Sequence, residues 1–186
     1  MRSGAERAES KGAVRAVPAS VHLFADAGAI PNNPTLPFLV YPGALSLSDR
    51  DPAATCEAVF AANDWGGSWR DGIYPFPHYH STAHEVLGVC RGEARVRFGG
   101  DVGIELTVRA GDVVVLPAGV GHQNLGASPD LLVVGAYPRG QSFDLCRGRP
   151  EERPQALENI ARVPLPDWDP LYGAEGPLVQ HWLRRD

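Results

Sequence analysis

The sequence predicts an all-β fold, a sandwich or closed barrel, with short helices before and after it. Three observations carry that prediction. From Trp65 to Tyr137, short β-rich runs recur at spacings of about 8–12 residues, as they do in sandwiches and barrels. Glycine-containing turns separate them: Arg91-Gly92-Glu93, Gly99-Gly100-Asp101 and Ala110-Gly111-Asp112. The 21 glycines and 17 prolines follow no period, which suits many tight turns and neither collagen nor a helical bundle.

The elements follow in order. Residues 1–20 mix Arg, Glu, Lys, Gly and Ala with no apolar segment, and are expected to form a flexible tail and not a secretory signal. Val21–Phe24 and Phe38–Tyr41 are short strand-like runs, with an irregular turn at Ile30-Pro31-Asn32-Asn33-Pro34 between them. A helix is expected after Asp51, a good N-cap, with Pro52 at the first helical position, where its missing N–H costs nothing. Ala53, Cys56, Val59 and Phe60 share one face of it, and Asn63, Gly66 and Gly67 end it. Strands are then expected over Glu85–Cys90, Ala94–Phe98, Ile104–Val108, Asp112–Leu116 and Leu131–Val134. Beyond Pro138 a short helix over about 150–161 leads into an extended arm with Trp168, Tyr172 and Trp182, aromatics that would cover the barrel or a partner subunit. One domain over 21–186 is therefore expected, with its barrel core at about 65–138 and an arm at 139–186.

Composition narrows the function classes. The net charge of −5, from 17 basic and 22 acidic side chains, argues against gripping a nucleic-acid backbone. No apolar run approaches the roughly 20 residues of a membrane helix. Cys56, Cys90 and Cys146 are an odd, widely spaced set without a CxxC, as expected of reduced thiols in a cytoplasm.

The chemistry concentrates between residues 78 and 122, which hold four of the six histidines. His78 and His80 are two apart, so on one strand both rings point to the same face. Glu85 opens the next strand after a short turn, and His122 comes from a later turn after Pro117-Ala118-Gly119-Val120-Gly121. Burying three imidazoles in a small barrel would cost several kcal/mol unless each found partners, and one shared metal ion supplies them. His22 and His181 are read instead as hydrogen-bonded core histidines.

These residues carry a resemblance. Gly72, five residues, His78-Tyr79-His80, four residues, Glu85, six residues and Gly92 follow the first cupin motif. Gly111, five residues, Pro117-Ala118-Gly119, two residues and His122 follow the second through its histidine. The second motif departs at its end, where Gly126 stands in place of the usual Asn and Asn124 lies two residues earlier. Further stretches, Asn63 to Arg70, His84 to Val89 and Asp169 to Gly173, resemble the YjlB-like bacterial single-domain cupins. The resemblance implies a double-stranded β-helix (jelly-roll) barrel, a metal site of His78, His80, Glu85 and His122, and a homodimer.

Nitrogen and oxygen donors without a thiolate suit one divalent transition metal ion, Fe, Mn, Ni, Co, Cu or Zn. The leading functional expectation is a metal-dependent enzyme of oxygenase or isomerase type acting on a small polar molecule. The alternative is a non-catalytic cupin that binds or senses a small molecule or metal, its own metal being structural. Trp69, Tyr74 and Phe76 are candidate pocket walls, and Arg70, Gln123 and Asn124 candidates to orient a polar substrate. His84 sits where the motif's shorter variant would put the carboxylate. It either faces away from the ion or serves as an alternative ligand.

Overall fold

A computed structural model describes residues 12–48 and 50–184. Among the described residues nine strands form two antiparallel sheets: β1 (Ser20–His22), β2 (Phe38–Tyr41), β3 (Trp65–Asp71), β4 (Glu85–Arg91), β5 (Glu93–Phe98), β6 (Ile104–Arg109), β7 (Val113–Leu116), β8 (His122–Ala127) and β9 (Leu132–Pro138). The larger sheet runs β1-β2-β7-β4-β9-β3, and the smaller β6-β5-β8. They close around Leu87, Val89, Val96, Phe98, Val114 and Val133 in a jelly-roll barrel.

Alternation along β4 sorts the two sides of the larger sheet. Leu87 and Val89 enter the barrel, while Val86 and Cys90 face outwards into a second cluster. Helix α1 (Pro52–Ala62) covers that outer face with Ala53, Cys56, Val59 and Phe60, and Asp51 caps it by accepting the Ala54 N–H at 3.1 Å. The expected helix and its buried face are both present.

The C-terminal arm completes the outer layer. Helix α2 (Arg153–Ile160) forms inside the expected 150–161 span. Trp182 is fully buried beside Trp65 and Leu178 and donates its indole N–H to the Pro37 carbonyl at 2.9 Å. Asp169, also buried, receives the Tyr41 hydroxyl at 2.8 Å and the Leu171 and Leu178 N–H groups, which pins the arm to β2. Residues 12–19, expected in a flexible tail, lie against this layer: Val14 bridges to Leu45, and the Arg15 N–H donates to Ala44 O at 2.8 Å. The rest of that expected tail, 1–11, lies outside the described residues.

Two local expectations change. His78-Tyr79-His80 is not a full strand: it makes only isolated bridges, His78 to His122 and Tyr79 to Cys146. Pro75 and Pro77 just before it lack the N–H a longer ladder needs. His181 is exposed and not a core histidine, while half-buried His22 stacks on Phe24 at 6.3 Å. Among the described residues no helix is long and apolar enough to cross a membrane.

Candidate metal centre

The bridge between His78 and His122, with N···O distances of 3.2 and 2.9 Å in the two directions, sets their rings 3.9 Å apart, centre to centre. The i, i+2 spacing brings His80 to the same side and sends Tyr79 to the other, among Ile30, Cys146 and Ala156. One donor atom from each of His78, His80 and His122 lies within 4.8 Å of the others, and all three residues are buried. Glu85, the first residue of β4, shares the inward side with Leu87 and reaches the same point. Its Oε2 lies 3.4 Å from His80 Nε2 and 3.5 Å from His122 Nε2.

Each ring is turned by its other nitrogen. His78 Nδ1 faces the Phe76 carbonyl at 3.0 Å, His80 Nδ1 the Asp144 carbonyl, and His122 Nδ1 the Val120 carbonyl at 3.5 Å. A carbonyl only accepts, so Nδ1 carries the proton and Nε2 offers its lone pair to the cluster. That is the orientation metal-binding imidazoles take from their outer partners. Asp144 is itself anchored, its carboxylate accepting the Ser81 N–H at 2.6 Å and the Ser81 hydroxyl.

The carboxylate is held from behind. Tyr137 on β9 donates its hydroxyl to Glu85 Oε1 at 2.9 Å and accepts the Trp69 indole N–H at 2.7 Å. An indole N–H can only donate, so the tyrosine proton is committed to Glu85. Trp69 lies flat over Gly135: a Cβ there would come within 2.2 Å of the ring. Glu85 Oε2, by contrast, is buried and has no hydrogen-bond partner among the described residues. Donors about 2.1 Å from one ion stand roughly 3.0–3.4 Å apart, close to the two distances this oxygen makes. The residues fit a metal ion.

Electrostatics agree. Burial alone would raise the Glu85 carboxyl, but the neighbouring His80, then His122 and the Tyr137 hydroxyl, draw it down to about 2. Burial lowers His78, and it lowers His122 well below the ordinary imidazole value, helped there by the neighbouring His78. Burial pulls His80 down as well, yet Glu85 outweighs it and carries His80 up. The cluster is thus one carboxylate among imidazoles, a donor set that suits a metal ion.

A cavity of about 370 Å³ opens above the cluster, walled by Trp69, Ile73, Tyr74, Leu87 and Phe143. Tyr74 stacks on Phe76 at 4.9 Å, and both rings meet His78 edge-on. Of the residues expected to orient a substrate, Arg70 is already engaged by two carboxylates. It reaches the rim, but its guanidinium is bound to Glu57 at 2.7 Å and Asp51 at 3.3 Å on the outer surface. Gln123 and Asn124 also serve the fold: Gln123 donates to Pro75 O at 3.0 Å, and Asn124 Oδ1 accepts the Gly126 N–H at 2.8 Å. Asn124 so steadies the turn where the second motif departs from its usual ending.

His84 faces away from the cluster. Its Nδ1 accepts the Ala118 N–H at 3.0 Å, its ring packs on Trp182 at 5.0 Å, and burial lowers it to about 3. Tyr137, Phe143 and Asp144 were not singled out in the sequence. Tyr137 could have been found by parity, since Val133 on the same strand faces the barrel and Tyr137 lies four residues on.

The chain is similar to several known proteins. The family model described as Cupin matches residues 70–138. The uncharacterized protein YjlB of Bacillus subtilis (strain 168) is 41% identical over 163 residues, covering 88% of this chain and 96% of that protein. Among solved structures, acireductone dioxygenase from Bacillus anthracis with a cadmium ion in its active centre is 16% identical, covers 53% of this chain and 70% of its own, and has a TM-score of 0.38. An 11S globulin from Wrightia tinctoria is 22% identical with a TM-score of 0.36; the match covers 42% of this chain and only 21% of the globulin. With both sequence motifs, the antiparallel barrel and a relative alike over nearly its whole length, the chain belongs to the cupin family, in the branch that includes YjlB.

Proposed function

We propose that His78, His80, Glu85 and His122 hold one divalent transition metal ion, and that the protein is a metal-dependent enzyme of oxygenase or isomerase type acting on a small polar molecule. Glu85 Oε2 carries the proposal: a buried carboxylate oxygen without a hydrogen bond, faced by imidazole nitrogens at 3.4 and 3.5 Å. A buried polar atom left without a partner costs about 1–3 kcal/mol, and a cation removes that cost. When bound, the ion would supply Lewis acidity and a template for substrate.

The chain's own groups do the rest. Tyr137 holds Glu85 in place and, with its proton committed there, does not act as a general acid. Trp69, Tyr74 and Phe143 exclude water from one side of the cluster. A cavity of about 370 Å³ lies near the small end of the ligand-pocket range of about 300–1,000 Å³, which supports a small substrate. A cytoplasmic homodimer belongs to the same proposal; three thiols standing free and buried support the reducing compartment.

One observation favours the rival, a non-catalytic binding or sensing barrel. Among the described residues, the only titratable side chains lining the cavity besides the four proposed ligands are Tyr74, Tyr137 and, on the outer stretch of β3, Arg70 and Asp71. Turnover separates the two. Protein reconstituted with each metal in turn is assayed for oxygen uptake and product formation on small acids and diketones, beside H78A/H122A. Turnover with at least one metal, absent in the double variant, is expected. Saturable binding of a panel compound with no turnover under any metal would leave the binding barrel.

A further inference from the structure

A second cavity, of about 790 Å³, lies on the His84 side of the chain, between the 23–36 segment and α2 with the residues that follow it. Its walls are mainly apolar, with Phe24, Leu36, Leu157, Ile160, Val163 and Leu165. The amides at its edge are occupied. Asn32 donates to Ala25 O at 2.7 Å and Gly99 O at 2.9 Å, and its own oxygen accepts the Gly121 N–H. Asn33 donates to Ala118 O at 3.0 Å and accepts from Leu36 N at 2.8 Å. Asp26 is paired with Arg153. His84 differs. Because its Nδ1 accepts the Ala118 N–H, its proton sits on Nε2, and that buried N–H has no partner among the described residues.

We infer that this cavity is a second ligand site, for a small, uncharged, largely apolar molecule that presents one carbonyl oxygen to the Nε2–H of His84. A buried donor left unpaired is costly, and one acceptor relieves it. An anion fits badly: Arg153, the nearby cation, is engaged by Asp26 and Gly28 O, and an apolar wall gives a charge no counterpart. His84 is only 1% exposed, so the ligand reaches it by a small rotation of the side chains over the ring, the usual scale of adjustment on binding.

The test uses zinc-loaded protein labelled with ¹⁵N-histidine and two probes of one shape, cyclohexanone and methylenecyclohexane. The His84 Nε2–H resonance is expected to shift saturably with the ketone, which binds about three- to tenfold tighter than the alkene, the worth of one neutral hydrogen bond. His84→Phe should erase that difference with metal content unchanged. Leu157→Trp, at a 44% exposed wall position that tolerates a large side chain, should weaken both probes. Equal affinities, no saturable shift at millimolar ketone, or a ketone preference surviving in His84→Phe each overturns the site. Should His84→Phe fail to fold, ketone binding unaltered in Leu157→Trp overturns it alone.

Discussion

Glu85 and His84 are chain neighbours, both buried, each with one polar atom lacking a partner among the described residues, yet they stand in opposite surroundings. Glu85 points with Leu87 into the barrel beside three imidazoles, and there His80, then His122 and the Tyr137 hydroxyl, outweigh burial and draw its carboxyl down to about 2. His84 points to the outer layer, against Trp182, where burial alone lowers it to about 3. One orphan atom lies among groups that together suit a cation. The other lies among apolar groups that suit a neutral molecule. Strand alternation separates the two environments by a single peptide bond.

The largest way to sharpen the contrast is through pH, on chelator-treated protein. The lowered His84 leaves the folded chain without a proton that the unfolded chain binds below about pH 6.5. Stability therefore falls as pH drops from about 6.5 towards 3, by up to about 1.4 kcal/mol per pH unit for this group. Glu85, also lowered, contributes stability that is present above about 4.5 and lost as pH falls towards about 2. His80, raised, runs the other way: its contribution is present below about 6.5 and fades as pH rises through its folded value. His78 and His122, also lowered, add to the same fall, so His84→Phe should make the dependence shallower between pH 6.5 and about 4.5, where Glu85 does not yet titrate, as read by urea denaturation. An unchanged slope would mean His84 is protonated in the fold.

A smaller effect tests the support behind Glu85. Tyr137→Phe removes the hydroxyl that holds Oε1 and leaves the Trp69 N–H without its acceptor. Metal affinity should fall about tenfold, the low end for loss of an outer partner, in a chelator competition. Unaltered affinity would make the tyrosine a spectator.

Much of this centre was legible in the sequence, for physical reasons. The two-residue spacing of His78 and His80 works even in a segment too short for a strand, because one bridge to His122 keeps it extended. Asp51-Pro52 announced α1 through local capping. Strand β8 escaped notice because His122-Gln123-Asn124-Leu125-Gly126 has no strand-like pattern; pairing with β5 imposes it. Asp144 was invisible for a similar reason, since only the folded chain brings its carbonyl to His80, 64 residues away. The engagement of Arg70 follows from parity: Trp69 turns in, so its neighbour turns out, towards Glu57.

The most direct test of the Glu85–His84 contrast is elemental analysis of purified wild type, Glu85→Ala and His84→Phe, expressed without added metal. Ligation by Glu85 predicts near-stoichiometric transition metal in the wild type and in His84→Phe, and its loss in Glu85→Ala. Equal metal in Glu85→Ala and wild type, or loss confined to His84→Phe, would contradict it.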